Sequence, residues 1–211
     1  QSTFMSHTIQ IKQVNQITHD VKEFVTEKPD GYEFQPGQAT DVAINKEDWT
    51  EEKRPFTFTS LPDDDNLEFV IKIYDDHDGV TNKMDDLEPE DEFIIGDAWG
   101  TIEYKDKGTF IAGGAGITPF ISIFRHLNEE NKLEGNRLIF SNKTEKDIIL
   151  EDEFRTALGD DFINVITHQE DTKYHKGLLD KQSLKELCDD FNRHFYICGP
   201  IPMVMDISNA L

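Results

Sequence analysis

The pattern of hydrophobic and polar positions changes about halfway along the chain. Up to about residue 104, short stretches alternate apolar with polar residues, and the turn sequences PDG, PGQ, PDDDN and DHDG separate them. The alternating stretches are IQIKQV, ATDVAI, FTFTS, LEFVIKIY and EFIIGD. A period of two is typical of half-buried strands, so this half predicts an antiparallel β-barrel or sandwich. One helix is expected within it, at residues 81–87.

From about residue 108 the pattern becomes that of strands alternating with helices. The apolar segments TFIAGG, RLIFSN, NVITH and HFYICGP predict four strands. In the first intervening helix Phe120, Ile121, Phe124 and Leu127 share one face, as helical periodicity requires. This alternation predicts an α/β domain with a parallel sheet, in which ligands bind beyond the carboxyl ends of the strands. Residues immediately after each strand are therefore the first candidates for function.

Two patterns predict two domains, residues 5–105 and residues 106–211. The full length of 211 residues allows about 100 residues for each, enough for a core in both. No apolar run approaches the roughly 20 residues that span a bilayer. No signal-peptide pattern opens the chain, so we expect a cytoplasmic protein. Its oligomeric state is left open.

The charge is strongly acidic, with 21 Lys and Arg against 43 Asp and Glu, a net charge of −22. Such a charge argues against nucleic-acid binding, because a phosphate backbone would be repelled. The simplest interpretation is a solvated acidic surface, since acidic runs at 62–65 and 87–92 resemble exposed turns.

Cysteine and histidine are too few or too scattered for a metal centre. Cys188 and Cys198 provide neither a disulfide framework nor the four thiolates of an iron–sulfur cluster. Any iron–sulfur partner must be a separate chain. His77, His168 and His175 are expected to be loop residues, and we predict no metal site.

A glycine-rich loop follows the first strand of the second half and opens a helix. Its residues are Gly113, Gly114, Ala115, Gly116, Ile117, Thr118 and Pro119. Thr118 is expected to cap the helix and Pro119 to take its first position. Glycines let a ligand approach the backbone, and a helix N-terminus attracts a pyrophosphate.

The alternative is that this loop serves only tight packing. Its spacing departs from the dinucleotide fingerprint, because Pro119 stands where a third glycine is usual. Lys143 occupies the region where an acidic residue would hold a ribose.

The last strand ends in Cys198, followed by Gly199, Pro200, Ile201, Pro202 and Met203. This position puts the thiol at the same edge of the sheet as the glycine loop. The alternative interpretation is a small buried hydrophobic residue.

Four motifs in order resemble those of the ferredoxin/flavodoxin reductase family, over nearly the whole chain. Gln35-Pro36-Gly37-Gln38 resembles the turn before the second barrel strand, and Arg54-Pro55-Phe56-Thr57 resembles the Arg-x-Tyr-Ser/Thr flavin motif. GGAGITP at 113–119 and CGPIPM at 198–203 are similar to the nicotinamide-nucleotide loop and the Cys-Gly-Pro corner. The resemblance implies an FAD-binding antiparallel β-barrel followed by an NAD(P)-binding α/β domain.

The resemblance also implies roles for single residues. Arg54 would pair with the FAD pyrophosphate, Phe56 would pack on the flavin and Thr57 would lie near flavin N5. The main chain at Ile71, Lys72 and Ile73 would line the flavin, and Gly79, Val80 and Thr81 would open a helix on the pyrophosphate. The nucleotide would contact Gly113, Gly114, Gly116, Ile117, Thr118, Pro119, Ser141, Asn142, Lys143, Cys198, Gly199, Pro200 and Met203. The catalytic candidates are Thr57 and Cys198.

Some of these roles have simpler alternatives. Thr57 is also an ordinary strand threonine, and Lys72 is equally well a solvated strand lysine. Phe56 replaces the family's tyrosine, which keeps the stacking surface but removes a hydroxyl.

The resemblance implies a flavoprotein oxidoreductase that passes hydride from NADPH or NADH to FAD, and electrons then to flavodoxin, ferredoxin or a small molecule. The alternatives are a non-catalytic nucleotide-binding module and an electron-transfer subunit of a larger enzyme. Lys143 and Lys173 suit a 2′-phosphate, whereas His168 stands where many NADPH-using relatives carry arginine, so the choice of nucleotide is open.

Acidic carriers would be repelled by a net charge of −22 unless basic residues form a local positive patch at the flavin edge. The candidates for that patch are Lys53, Arg54, Lys72, Lys83 and Arg125.

Overall fold

The computed structural model describes residues 5–100 and 102–211. Its first half is an antiparallel sheet with strands β1 (His7–Thr18), β2 (Val21–Thr26), β3 (Ala39–Ile44), β4 (Arg54–Thr57), β5 (Leu67–Lys72) and β6 (Glu92–Ile95). The strand order is β4-β3-β6-β1-β2-β5. A bridge between Phe58 and Phe69, with the Thr59 N–H donating to the Glu68 carbonyl at 2.9 Å, joins the two edge strands. The predicted antiparallel barrel is confirmed.

Strand β2 was missed by the sequence analysis, because both of its faces are covered. Phe24 points into the barrel core, whereas Val21 packs against the core of the second half. A strand with two covered faces does not show a simple alternation of apolar and polar residues.

Helix α1 (Val80–Met84) is shorter than the predicted helix at 81–87 and begins one residue earlier. Val80, Met84 and Leu87 are all buried, and their spacing of four and three residues is the spacing expected of a longer helix. The Leu87 N–H, however, donates to the Met84 carbonyl three residues back, which is a turn after the helix.

The second half is a parallel sheet with strands β7 (Gly108–Gly113), β8 (Arg137–Asn142), β9 (Phe162–Ile166), β10 (His175–Lys176) and β11 (His194–Cys198). The order is β10-β9-β8-β7-β11. Its helices are α2 (Thr118–Glu129), α3 (Glu151–Leu158), α4 (Lys181–Leu187) and α5 (Ile201–Ala210). All four predicted strands are present. The two-residue strand β10 is too short to leave a pattern, and His175 lies in it rather than in a loop.

Helices cover both faces of this sheet. The predicted apolar face of α2 is buried, together with Phe110 and Phe140 of the sheet. On the opposite face Ile111 and Ile139 pack with Leu184 of α4 and Ile207 of α5. Strands β8, β9 and β10 lie on one side of β7, and β11 lies on the other. The strand order therefore reverses between β7 and β11, and ligands of such sheets bind beyond the carboxyl ends of the strands at this point.

The two halves pack directly against each other. Val21 and Val70, on the outer face of the barrel, join the core cluster of the second half. Gly37, at φ +93° in the QPGQ turn, donates its N–H to the Ser122 hydroxyl of α2 at 3.0 Å. A Cβ at Gly37 would lie 2.2 Å from the carbonyl oxygen of Ile102, so only glycine fits here. The domain boundary at 105/106 lies between β6 and β7 and stays a prediction.

Across residues 5–100 and 102–211, every helix is too short or too polar to span a bilayer.

Candidate flavin and nucleotide sites

The barrel leaves an open seam between β4 and the residues of β5 that face it. Beyond the Phe58–Phe69 bridge, the described residues show no further pairing between these strands. The Ile73 N–H donates to Asp20 on the β2 side at 2.7 Å. Because main-chain groups alternate along an antiparallel strand, the N–H and C=O of Lys72 turn toward the open seam. Ile71 and Ile73 place their side chains in the barrel core.

Next to the seam, two segments distant in sequence line one cleft of about 420 Å³. One contributes Arg54 and the other Gly79 and Val80, where α1 begins. The Arg54 guanidinium donates to the Lys53 carbonyl at 2.7 Å, and its side chain is half exposed. The cleft thus contains the Arg54 cation and the start of α1, where Gly79 is the N-cap. Both features suit the pyrophosphate of FAD.

Sequence reasoning missed three acidic residues and a tryptophan in this cleft. Asp48, Trp49, Glu52 and Asp78 also line it, and Glu52 lies 3.8 Å from the Arg54 guanidinium. They belong to turns beside β4 and α1, and no local pattern predicted that these turns would meet.

Phe56 and Thr57 complete the barrel side. Phe56 is half-buried and packs against the barrel core, and Thr57 is half-buried on β4 opposite Ala39. Two residues further along the chain, the Thr59 carbonyl accepts from Arg125 of the second domain. The Thr81 hydroxyl accepts the N–H of Tyr74 at 3.1 Å, which fixes the loop before α1.

The glycine loop and the Cys-Gly-Pro corner pack on each other and form the nucleotide rim, residues 113–119 with 198–200. A Cβ at Gly116 would lie 2.5 Å from the Cys198 carbonyl oxygen and 2.6 Å from the Gly199 Cα. A Cβ at Gly113 would lie 2.5 Å from the Met203 sulfur. Met203 therefore supports the rim from within the protein. Gly114, at φ +52°, would direct a Cβ into open space.

The start of α2 differs from the prediction for Thr118 and Pro119. A 3₁₀ turn at Gly114–Ile117 leads into the helix, so Ile117 is the N-cap, Thr118 the first helical residue and Pro119 the second. Ile117 has helical dihedrals, φ −66° and ψ −23°, whereas a capping side chain acts from an extended residue. Within the described part of the chain, no side chain caps α2. The Thr118 N–H donates to the Ala115 carbonyl and Pro119 has no N–H, so the backbone that can meet a pyrophosphate is that of the 3₁₀ turn rather than the first turn of α2.

Cys198 lies half-buried against the core of the second domain. Burial raises the pKa of its thiol, so the side chain stays protonated and neutral at physiological pH. The other thiol, Cys188, is buried beside α4, and burial likewise raises its pKa.

The residues predicted after β8 lie at the same edge of the sheet. Ser141 is level with Gly113 across the sheet, and Asn142 is buried with its amide nitrogen unpartnered among the described residues. Lys143 is exposed, and its carbonyl accepts the His168 N–H at 2.8 Å. The structure thus places Lys143 beside His168, two of the three positions considered for a 2′-phosphate. Glu145 lies nearby and accepts from Thr172 and Lys173, a neighbour that sequence reasoning missed.

The positive patch considered above is not supported. Among its five candidates, four lie within 4 Å of a carboxylate: Lys72 of Asp20, Arg54 of Glu52, Lys83 of Asp86, and Arg125 of Glu68 and Glu153. Arg125 moreover lies in the contact between the domains. These charges are largely neutralised where they stand.

One group of possible metal ligands was not anticipated from spacing. His19, Asp20 and Asp147 meet across the domain contact, and the His19 ring forms a hydrogen bond with Asp147. Burial alone would raise the pKa of Asp147, but hydrogen bonds from His19 and Thr144 lower it on balance.

Comparison with known families identifies two cofactor-binding domains. Residues 6–91 match the family described as the FAD-binding domain, and residues 110–209 match the one described as the oxidoreductase NAD-binding domain. The chain belongs to these two domain families. Both cofactor-binding domains are thus present, in the predicted order.

Relatives of this chain include reductases of different systems. The NADH-cytochrome b5 reductase 2 of Mycosarcoma maydis is 30% identical, over 94% of this chain and 63% of its own length. The reductase component of propane 2-monooxygenase from Rhodococcus jostii is 28% identical, over 84% of this chain and 51% of its own length. The present chain therefore spans about half to 63% of these relatives.

The fold is shared with solved reductases. A ferredoxin NADP+ reductase from Neisseria gonorrhoeae, with bound FAD and NADP, superposes with a TM-score of 0.83 at 20% identity. The match covers 97% of this chain and 89% of that one.

Proposed function

We propose that this chain is an FAD-dependent NAD(P)H oxidoreductase that passes electrons to a partner protein. The observation that carries the proposal is the placement of both sites around α2. The nucleotide rim lies at its start, and the barrel strand that bears Thr57 reaches its middle through Thr59 and Arg125. When bound, FAD supplies a ring that accepts hydride from a reduced nicotinamide and releases the electrons in one or two steps.

On the barrel side, Arg54 is assigned to the FAD pyrophosphate together with the main chain of Gly79, Val80 and Thr81. Their common cleft supports this assignment. Lys72 is assigned to the flavin through its main chain, which turns toward the open seam. Phe56 and Thr57 flank the same seam, with the Thr57 hydroxyl available to hydrogen-bond the ring.

On the nucleotide side, Gly114, Gly116 and the backbone of the 3₁₀ turn that leads into α2 are assigned to the pyrophosphate. The open space beside Gly114 supports this role, because a Cβ placed there would meet no atom within 4 Å, and a ligand can approach the backbone. Ser141, Asn142 and Lys143 are assigned to the ribose and adenine half. Cys198 is assigned to the nicotinamide, where a protonated thiol presents a neutral contact surface.

The acceptor is proposed to be a protein, since the relatives above include a monooxygenase reductase component and a cytochrome b5 reductase. With a net charge of −22, association with an acidic ferredoxin or flavodoxin should speed up, or barely change, as salt rises from low to moderate concentration. A basic or neutral acceptor would associate more slowly as salt rises. An acidic carrier whose reduction is fast at low salt and falls steeply with salt would contradict this reasoning.

The direct test is anaerobic reduction of the FAD-loaded protein. We expect excess NADPH or NADH to bleach the flavin absorbance, and steady-state rates with each nucleotide to show which one is preferred. A protein that binds FAD but is reduced by neither nucleotide would refute the oxidoreductase proposal and favour a non-catalytic binding module.

A further inference from the structure

A single guanidinium joins the helix that follows the glycine loop to the barrel. Nη1 of Arg125, on α2, donates to the Thr59 carbonyl at 2.9 Å and to Oε1 of Glu68 at 2.8 Å, both in the barrel. Nε and Nη2 donate to the two carboxylate oxygens of Glu153 on α3, at 3.1 and 2.9 Å. All three guanidinium nitrogens thus have acceptors, and one side chain holds three elements.

The barrel side of this contact is part of the structure that closes the barrel. Thr59 is fully buried, and its hydroxyl donates to the same Glu68 oxygen at 2.8 Å. Its N–H donates to the Glu68 carbonyl at 2.9 Å, beside the Phe58–Phe69 bridge. Thr57 lies two residues before Thr59 on the same run of chain. A displacement of Arg125 would therefore act on the chain two residues from Thr57.

The nucleotide side is equally direct. Helix α2 begins at Thr118, and Arg125 lies two helical turns further on, roughly 10 Å along the axis at 1.5 Å per residue. The helix that follows the nucleotide rim therefore also contacts the barrel, through Arg125. Rotation of one domain against the other would move the nucleotide rim relative to the open seam.

The charges make the contact sensitive to loss of the arginine. The side chains of Arg125 and Glu68 are only 24% and 19% exposed, so solvent screens their attraction less than that of a surface pair. Without the guanidinium, Glu68 and Glu153 would face each other across the domain contact with no cation between them. Their repulsion would favour separation of the domains.

We propose that Arg125 is a positioning residue that fixes the angle between the two domains and, with it, the contact between nicotinamide and flavin. The inference rests on the proposed oxidoreductase function for its kinetic consequence, although the contact itself is independent of it. Misplacing reacting groups by about 1 Å can slow a reaction roughly a hundredfold.

Three variants of the FAD-loaded protein separate the contact between domains from the contact within one domain. Arg125→Met removes both. Glu68→Gln weakens the ion pair between domains and keeps an amide oxygen that can still accept from the Thr59 hydroxyl. Glu153→Gln weakens only the pair between α2 and α3. Glu153→Gln is the matched control, because it makes the same chemical change to a carboxylate on the same guanidinium.

We expect Arg125→Met to slow flavin reduction at saturating nucleotide at least tenfold, and Glu68→Gln to slow it severalfold. Both should weaken the long-wavelength charge-transfer absorbance of the nucleotide–flavin complex. FAD content and affinity for ADP, which needs only one domain, should stay within about twofold, as should every property of Glu153→Gln. Should Arg125→Met fail to fold, Glu68→Gln carries the test.

Small-angle X-ray scattering of the same samples tests the domain angle without any reaction. Arg125→Met should give a larger radius of gyration than the wild type, and Glu153→Gln an unchanged one. Scattering curves that superpose for wild type and Arg125→Met would overturn the proposal, as would equal slowing by Glu68→Gln and Glu153→Gln. A wild type that nucleotide does not reduce would refute the proposed function, while scattering would still decide on Arg125.

Discussion

Alanine at Gly116 should mainly reduce stability, whereas alanine at Gly114 should mainly weaken nucleotide binding. The surroundings of each Cβ give the size of the expected effect. At Gly116 an added Cβ would meet three backbone atoms of residues 198 and 199 at 2.5 to 2.7 Å, almost 0.9 Å inside the 3.4 Å of ordinary contact. Because backbone cannot rotate away, the 3₁₀ turn and the end of β11 must move apart. Overpacking of this kind costs about 3 kcal/mol, the upper end of the usual range.

Gly114 provides the matched control. Its φ of +52° costs an alanine about 1 kcal/mol, but the added Cβ would meet nothing within 4 Å. Both substitutions reduce the entropy of the unfolded chain by the same amount, so that contribution cancels in the comparison. For a protein of this length, the remaining difference of about 2 kcal/mol should place the Tm of Gly116→Ala roughly 4–8 °C below that of Gly114→Ala.

Nucleotide binding should show the reverse order where stability allows it to be measured. The methyl group of Gly114→Ala would occupy the open space proposed for the pyrophosphate, and we expect about tenfold weaker NADH or NADPH binding, measured by calorimetry below 20 °C. Thermal unfolding monitored by circular dichroism gives the stability side. A Gly116→Ala protein no less stable than Gly114→Ala would refute the packing argument, and unchanged affinity in Gly114→Ala would refute the placement of the pyrophosphate.

Three further predictions follow from single side chains. Arg54→Ala should weaken FAD binding by about 1.5–3 kcal/mol in fluorescence titrations, whereas Lys53→Ala should leave it nearly unchanged. Cys198→Ala should slow stopped-flow flavin reduction with FAD affinity largely intact, and equal slowing by Cys188→Ala would contradict the assignment. Burial, assisted by Asp97, raises the pKa of Tyr32 from 10.0 to about 12. Its stabilising contribution is therefore full below pH 10 and is lost as pH rises toward 12, a loss that Tyr32→Phe should reduce in urea titrations.

Local sequence was sufficient for the fold class and for the motifs. Alternation with a period of two marked most barrel strands, and the helical period marked the buried face of α2, because both follow from backbone geometry within one element. The glycine loop was found for the same reason, since glycine at Gly114 and Gly116 meets a backbone requirement that can be read at one position.

Only the tertiary structure decided what the side chains of those elements meet. Strand β2 was missed because its second face is covered by another domain, and the Thr118 cap was wrong because a preceding 3₁₀ turn holds Ile117 in a helical conformation. The acidic residues beside Arg54 and the ring of acceptors around Arg125 come from segments far apart in sequence. Hydrophobic periodicity specifies which face is buried but not what it packs against, and the partner of a charge depends on how the whole chain is folded.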